Sequence, residues 1–135
     1  MAESPSIVLV DDDRDFLEMN ASILASRGYA VRSFASPQEA LAAIRSGEPG
    51  SRPSLVITDL MMSALDSGFS LARALRTDPR FADVPVIIVS AVASQKGFDF
   101  HPRTAADLAA MHADAFFDKP VDPAALLAKV EELLA

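Results

Sequence analysis

The 135 residues carry 12 basic and 19 acidic side chains, a formal charge of -7, and half of them are hydrophobic. That length and balance predict one globular domain spanning 1–135, and they exclude a nucleic-acid footprint, which needs a basic face. There is no cysteine, so disulfides, thiolate metal sites and cysteine nucleophiles are ruled out.

Met1 to Ser6 is polar and acidic, unlike a secretory signal, and no apolar run nears the roughly 18 residues that a membrane span needs. The expectation is a cytoplasmic protein with no membrane contact.

Five short apolar runs alternate with helix-period segments. Ile7-Val8-Leu9-Val10 is continuous, as in a strand buried on both faces. The helix after it carries Phe16, Leu17, Ile23 and Leu24 on one stripe, with Met19 at the edge. Asn20 falls inside that stripe and needs a hydrogen-bond partner if buried. Gly28 stops the helix in the C′ role. Tyr29 to Phe34 is the second strand. Ser36-Pro37-Gln38-Glu39 is a capping box with proline at N1, and its helix runs to about Ser46. Gly47 to Pro53 has the composition of a loop.

Ser54 to Thr58 is the third strand, ending at Asp59. A helix from Gly68 to about Arg76 turns Phe69, Ala72 and Leu75 inward. Val84 to Ser90 is the fourth strand. A polar, aromatic-dotted loop follows to about Arg103, then a helix from Thr104 to about Ala113, then a short strand from Ala115 to Asp118. Asp122 caps a last helix with Pro123 at N1, burying Leu126, Leu127, Val130 and Leu133. This alternation predicts an α/β fold with a parallel sheet and helices on both faces.

Asp11, Asp12, Asp59, Ser90 and Lys119 each stand at or just past the carboxyl end of a strand, the edge where doubly wound sheets bind ligands. Singly, each has a bland reading: Asp13 is a helix N-cap, a serine ending a strand starts a turn, and a lysine before proline is solvated. Jointly they place three carboxylates, a hydroxyl and an ammonium at one edge. Clustered carboxylates repel, which raises their pKa values unless a cation intervenes. With no His or Cys among them, the cation that fits is a hard one, and Mg2+ takes one or two carboxylates, several waters and a phosphate oxygen. One carboxylate can then act as nucleophile toward phosphorus, with Lys119 and the Ser90 hydroxyl neutralising the transferred group. Asp59 is the best nucleophile because it ends the third, central strand. Asp11 and Asp12 suit metal ligation, and Asp13 and Asp15 suit the start of a helix.

Together the segments Val10-Asp11-Asp12-Asp13, Thr58-Asp59-Leu60-Met61-Met62, Val89-Ser90-Ala91 and Asp118-Lys119-Pro120 resemble the response-regulator receiver family over about residues 6 to 134. The resemblance implies a flavodoxin-like sheet in the order 2-1-3-4-5. It implies an Asp11/Asp12 acidic pair, one holding Mg2+ directly and one through water, with the backbone carbonyl of Met61 completing the shell. Asp59 is then the phosphoacceptor, Ser90 the switch hydroxyl and Lys119 the phosphate-binding lysine, with a cis Lys119-Pro120 bond. Phe116 fits two readings, the switch aromatic or an ordinary core phenylalanine. Met61 and Val92 match the positions that tune aspartyl-phosphate lifetime; both are apolar and cannot orient a water, so slow autodephosphorylation is expected.

Such a protein is not an enzyme in the turnover sense: it phosphorylates itself from a donor and loses the group to water. The implied partners are a histidine kinase or histidine phosphotransfer protein and a protein target, met through the face of the fourth helix, fifth strand and fifth helix, as a monomer or a phosphorylation-dependent dimer. Since the sequence ends with the fifth helix, a stand-alone bacterial receiver is the expectation if the chain is whole.

Departures from the family pattern fall in two places. Ser63 stands where proline is common, and Ser67 intervenes between Asp66 and Gly68 like a one-residue insertion. Ser90 and Lys119 are 29 positions apart, more than is usual, and the surplus falls in 93–103 with Phe98, Phe100 and His101. That segment suits either altered partner recognition or a variable loop. Neither His101 nor His112 fits a phosphotransfer role; His112, late in a helix, can oppose the dipole or face solvent.

Three other classes remain. A phosphohydrolase of the haloacid dehalogenase type also starts with a strand and aspartates, but needs Thr or Val where Asp15 stands, and the chain has no room for a cap. A second is a receiver-like binding scaffold that is never phosphorylated, against which the presence of all the required residues weighs. A nucleotide-binding protein would have a glycine-rich turn after the first strand, and none is there.

Overall fold

A computed structural model describes residues 5–46, 52–59, 67–90, 113–118 and 121–134, with the side chains of all but 67–70, 90 and 118. Five strands, β1 (Ser6–Val10), β2 (Ala30–Phe34), β3 (Leu55–Asp59), β4 (Val86–Ser90) and β5 (Ala115–Asp118), form one parallel sheet in the order β2-β1-β3-β4-β5. Among the described residues the helices are α1 (Arg14–Ser26), α2 (Pro37–Arg45), α3 (Ser67–Thr77) and the last helix, Pro123–Leu134.

The unbroken apolar runs are explained by what lies on each face. Side chains alternate along a strand, and here both sides are covered. Val8, Val10, Val56, Val86 and Ile88 face Ala40 and Ile44 of α2 and Leu71, Ala72 and Leu75 of α3. Ile7, Leu9, Leu55, Ile57, Ile87 and Val89 face Phe16 and Leu24 of α1 and Leu126, Leu127 and Val130 of the last helix. Each such Leu, Ile or Val contributes about 1.5–3 kcal/mol by leaving water.

The caps follow the sequence. The Asp13 carboxylate accepts the N–H groups of Asp15 and Phe16 at 3.0 and 3.3 Å. Ser36 Oγ accepts the Glu39 N–H at 3.2 Å, and Asp122 Oδ1 that of Ala124 at 3.2 Å. α1 ends in a Schellman motif: Gly28 has φ 91°, its N–H reaches the Ala25 carbonyl, and the Tyr29 N–H reaches that of Leu24. Asn20, 1% exposed, has the partner that its position demands, since its Nδ2 donates to the Phe16 carbonyl at 2.9 Å. Met19 is half exposed, in keeping with the edge of the stripe.

Several boundaries differ from expectation, β1 and β3 by a single residue at their starts, Ser6 and Leu55. β2 starts at Ala30, because the Tyr29 N–H is committed to the α1 cap. β4 starts at Val86, because Pro85 has no N–H and that of Val84 closes a turn onto Phe81. α3 runs from Ser67 to Thr77 and buries Leu71 beside Ala72 and Leu75. Ala113, expected to end a helix, is buried but not helical; the rest of 104–113 and the side chain of Phe69 lie outside what is described.

Candidate functional site

The register of β1 against β3 assembles the site. Val10, the last residue of β1, pairs with Thr58, so the residues that follow, Asp11 just past β1 and Asp59 at the end of β3, come side by side across one strand spacing of about 4.8 Å. The Asp11 N–H donates to the Phe34 carbonyl at 3.1 Å, which holds that residue in line with the sheet. Its carboxylate turns back, and Oδ1 accepts the Asp13 N–H at 2.8 Å. That tight turn leaves Asp12 exposed between two residues committed to the turn and the α1 cap. Asp11 is fully buried and Asp59 is 6% exposed. Beneath them Thr58 is buried, its Oγ1 donating to the Asp59 carbonyl at 3.1 Å.

Carboxylate oxygens of Asp11, Asp12 and Asp59 all lie within 4.8 Å of one another, a spacing that one cation can bridge. Burying two carboxylates in such a cluster is costly unless positive charge or donors meet them. The donor set is oxygen only, which suits a hard divalent ion and not zinc.

The remaining expected residues are placed in part. Ser90 ends β4, one position past Val89, the partner of Asp59; its side chain is not described. Ser90 itself pairs with Asp118, and Lys119 is next in the chain. Lys119, Pro120, Met61, Val92, Ser63, Asp66, the segment 93–103 with His101, and His112 lie outside the described residues. Phe116 on β5 is half-buried against the α2/α3 side of the core.

No sequence signal pointed to Asp114, just before β5. Its carboxylate accepts the Val86 N–H at 2.8 Å and a guanidinium N–H of Arg76 at 2.9 Å, while its own N–H donates to the Val86 carbonyl at 2.7 Å.

Comparison with known proteins agrees with this arrangement. The family model described as the response regulator receiver domain matches residues 7–131, and the chain belongs to that family, the receivers of two-component signalling. Among curated proteins it is 33% identical over 133 residues to the transcriptional regulatory protein GltR of Pseudomonas aeruginosa, covering 98% of this chain and 50% of that protein. It is 34% identical over 136 residues to the response regulator Rre1 of Synechocystis, covering 100% and 54%. The chain thus spans about half the length of these relatives. Among solved structures, a CheY-like receiver domain protein of Methanospirillum hungatei superposes with a TM-score of 0.77 at 27% identity, covering 97% of this chain and 94% of that one. The receiver domain of a histidine kinase of Syntrophus aciditrophicus does so with 0.77 at 28%, covering 97% and 90%. No helix among the described residues is long and apolar enough to cross a membrane.

Proposed function

We propose that this chain is a phosphorylation-dependent signalling switch that accepts a phosphoryl group on Asp59 from a histidine kinase or histidine phosphotransfer protein. The observation that carries the reading is the gathering of the Asp11, Asp12 and Asp59 carboxylates within 4.8 Å at the carboxyl edge of the sheet.

Asp11 and Asp12 would hold Mg2+ with Asp59 and the Met61 carbonyl. When bound, the ion neutralises charge on the transferring oxygens. An Asp59 carboxylate oxygen attacks phosphorus in line; the P–N bond to the donor imidazole breaks, and the electron pair stays on that nitrogen. The Lys119 ammonium and the Ser90 hydroxyl stabilise the equatorial oxygens. Burial of Asp59 beside Thr58 keeps bulk water from the acyl phosphate, and Met61 and Val92 offer no group to activate one. The chemistry ends there: the group is held, then lost to water, with no substrate turned over.

The output is a change in partner binding through the face of β5, the last helix and the segment 104–113, with Ser90 and Phe116 as the responding side chains. The partner is a protein target, bound as monomer or phosphorylation-dependent dimer. The formal charge of -7 argues against direct contact with nucleic acid.

The test is mass spectrometry of wild type and Asp59→Asn after incubation with acetyl phosphate and Mg2+. A gain of one phosphoryl group by wild type alone is expected. A gain by both, or by neither, removes the assignment.

A further inference from the structure

We infer that Asp114 is a positioning residue for the phosphoryl-binding half of the site: it pins the register of β5 on β4, and through it the place of Lys119. The inference rests on the receiver reading of Lys119 given above.

β5 is an edge strand of four residues, Ala115–Asp118, held to the sheet on one side only. Its apolar pattern marks its register weakly. Phe116 packs on the α2/α3 face and Phe117 on the opposite face, so a slip by one residue exchanges one phenylalanine for the other. Register errors in parallel strands move every residue beyond them, and Lys119 follows Asp118 directly. A specific polar contact must therefore select the register where the apolar one does not.

Asp114 supplies it. One residue satisfies both polar groups of Val86: the carboxylate takes the N–H at 2.8 Å and the backbone N–H meets the carbonyl at 2.7 Å. Such a two-point bracket fits a side chain of one length, since carboxylate and amide must reach the same partner residue. Arg76 holds the carboxylate from the other side at 2.9 Å and is itself anchored to the Ala82 carbonyl at 3.0 Å. From Val86↔Asp114 the ladder then runs through Ile87↔Ala115, Ile88↔Phe116 and Val89↔Phe117 to Ser90↔Asp118. The bracket lies at the opposite edge of the sheet from the carboxylates and acts on them only through this register.

The two halves of the site separate the outcomes. Metal ligation rests on β1 and β3; capture of the phosphoryl group also needs β4 and β5. Asp114→Asn keeps an acceptor oxygen of the right reach and loses the charge. Asp114→Glu keeps the charge and spoils the reach. Mg2+ affinity and beryllofluoride affinity in Mg2+ are measured by titration for wild type and both variants. The expected result is unchanged Mg2+ affinity in all three, near-native beryllofluoride affinity in the Asn variant, and a loss of about tenfold in the Glu variant, the size of one misplaced charge-assisted hydrogen bond. A plain ion-pair role predicts the reverse order, with Glu native and Asn weakened, and that order overturns the inference. So do three proteins with equal beryllofluoride affinity, or Mg2+ and beryllofluoride affinities that fall together. Wild type that takes up no beryllofluoride overturns the receiver reading and this inference with it.

Discussion

Replacing Asp59 by asparagine should make the metal-free protein more stable, not less. Oxygens of Asp59, Asp11 and Asp12 lie within 4.8 Å, and two of the three residues are buried. Two unit charges at that distance repel by about 3.5 kcal/mol at an effective dielectric of about 20, and by about 0.9 kcal/mol in water. The first figure applies to the buried Asp11–Asp59 pair and the second to the exposed Asp12. The Asp13 N–H donated to Asp11 already offsets part of this, which leaves a net gain of about 1–3 kcal/mol. For a domain of this size that is a rise of about 3–12 °C in Tm. Thermal melts in EDTA at low salt and neutral pH read it directly. Mg2+ should then narrow the gap: at a concentration 100 times the wild-type Kd it adds about 2.7 kcal/mol to wild type and about 1.4 kcal/mol to a variant that binds tenfold more weakly, which removes about 1.3 kcal/mol of the variant's lead. An Asp59→Asn protein that melts at or below wild type in EDTA would refute the reasoning, since the carboxylate would then be a net attractive member of the cluster.

Further expectations concern the frame of the site and its timing. Gly28→Ala should cost about 1–2 kcal/mol in urea denaturation although nothing lies within 4 Å of the added Cβ, because φ is 91° and the penalty is the backbone's own. Asp13→Ala should cost about 1 kcal/mol by leaving the Asp15 and Phe16 N–H groups without their cap, while the mass gain with acetyl phosphate persists. Asp78 is held below its ordinary 3.8 first by the side-chain hydrogen bond from Arg80, then by the Arg80 N–H. A depressed folded value gives stability that is present above 3.8 and lost as the pH falls through the lowered value. The difference between wild type and Asp78→Asn in denaturant melts should therefore be present near pH 6 and vanish in strong acid. With Met61 and Val92 both apolar, the phosphorylated form should decay slowly; a phosphoryl lifetime as short as that of chemotaxis-type receivers would contradict this.

The fold was legible because burial on two faces turns alternation into continuous apolar runs. Ile7 to Val10 and Val86 to Val89 announced buried parallel strands, and Ser36, Asp122 and Gly28 announced where helices begin and end. The errors fell where a backbone N–H was already committed. Tyr29 and Val84 carry strand-like side chains, but their N–H groups close a cap and a turn, a commitment that side-chain pattern does not encode. The stripe of Phe69, Ala72 and Leu75 leaves out Leu71, which is buried because the core reaches a wider arc of α3. The partner of Asn20 is a carbonyl one turn back in its own helix, a geometric fact that composition leaves open.

The site followed a different logic. Asp11, Asp12 and Asp59 could be nominated because chain order placed each at a strand end, yet their nearness depends on Val10 pairing with Thr58 and not with a neighbour. A slip of one residue would turn Asp59 to the other face. The central strands resist this because both of their faces are packed with side chains of differing shape. An edge strand with two adjacent phenylalanines has no such protection. Sequence therefore points to residues that the fold gathers where register is fixed by the core, and overlooks a residue such as Asp114, whose proposed value lies in fixing register where the core does not.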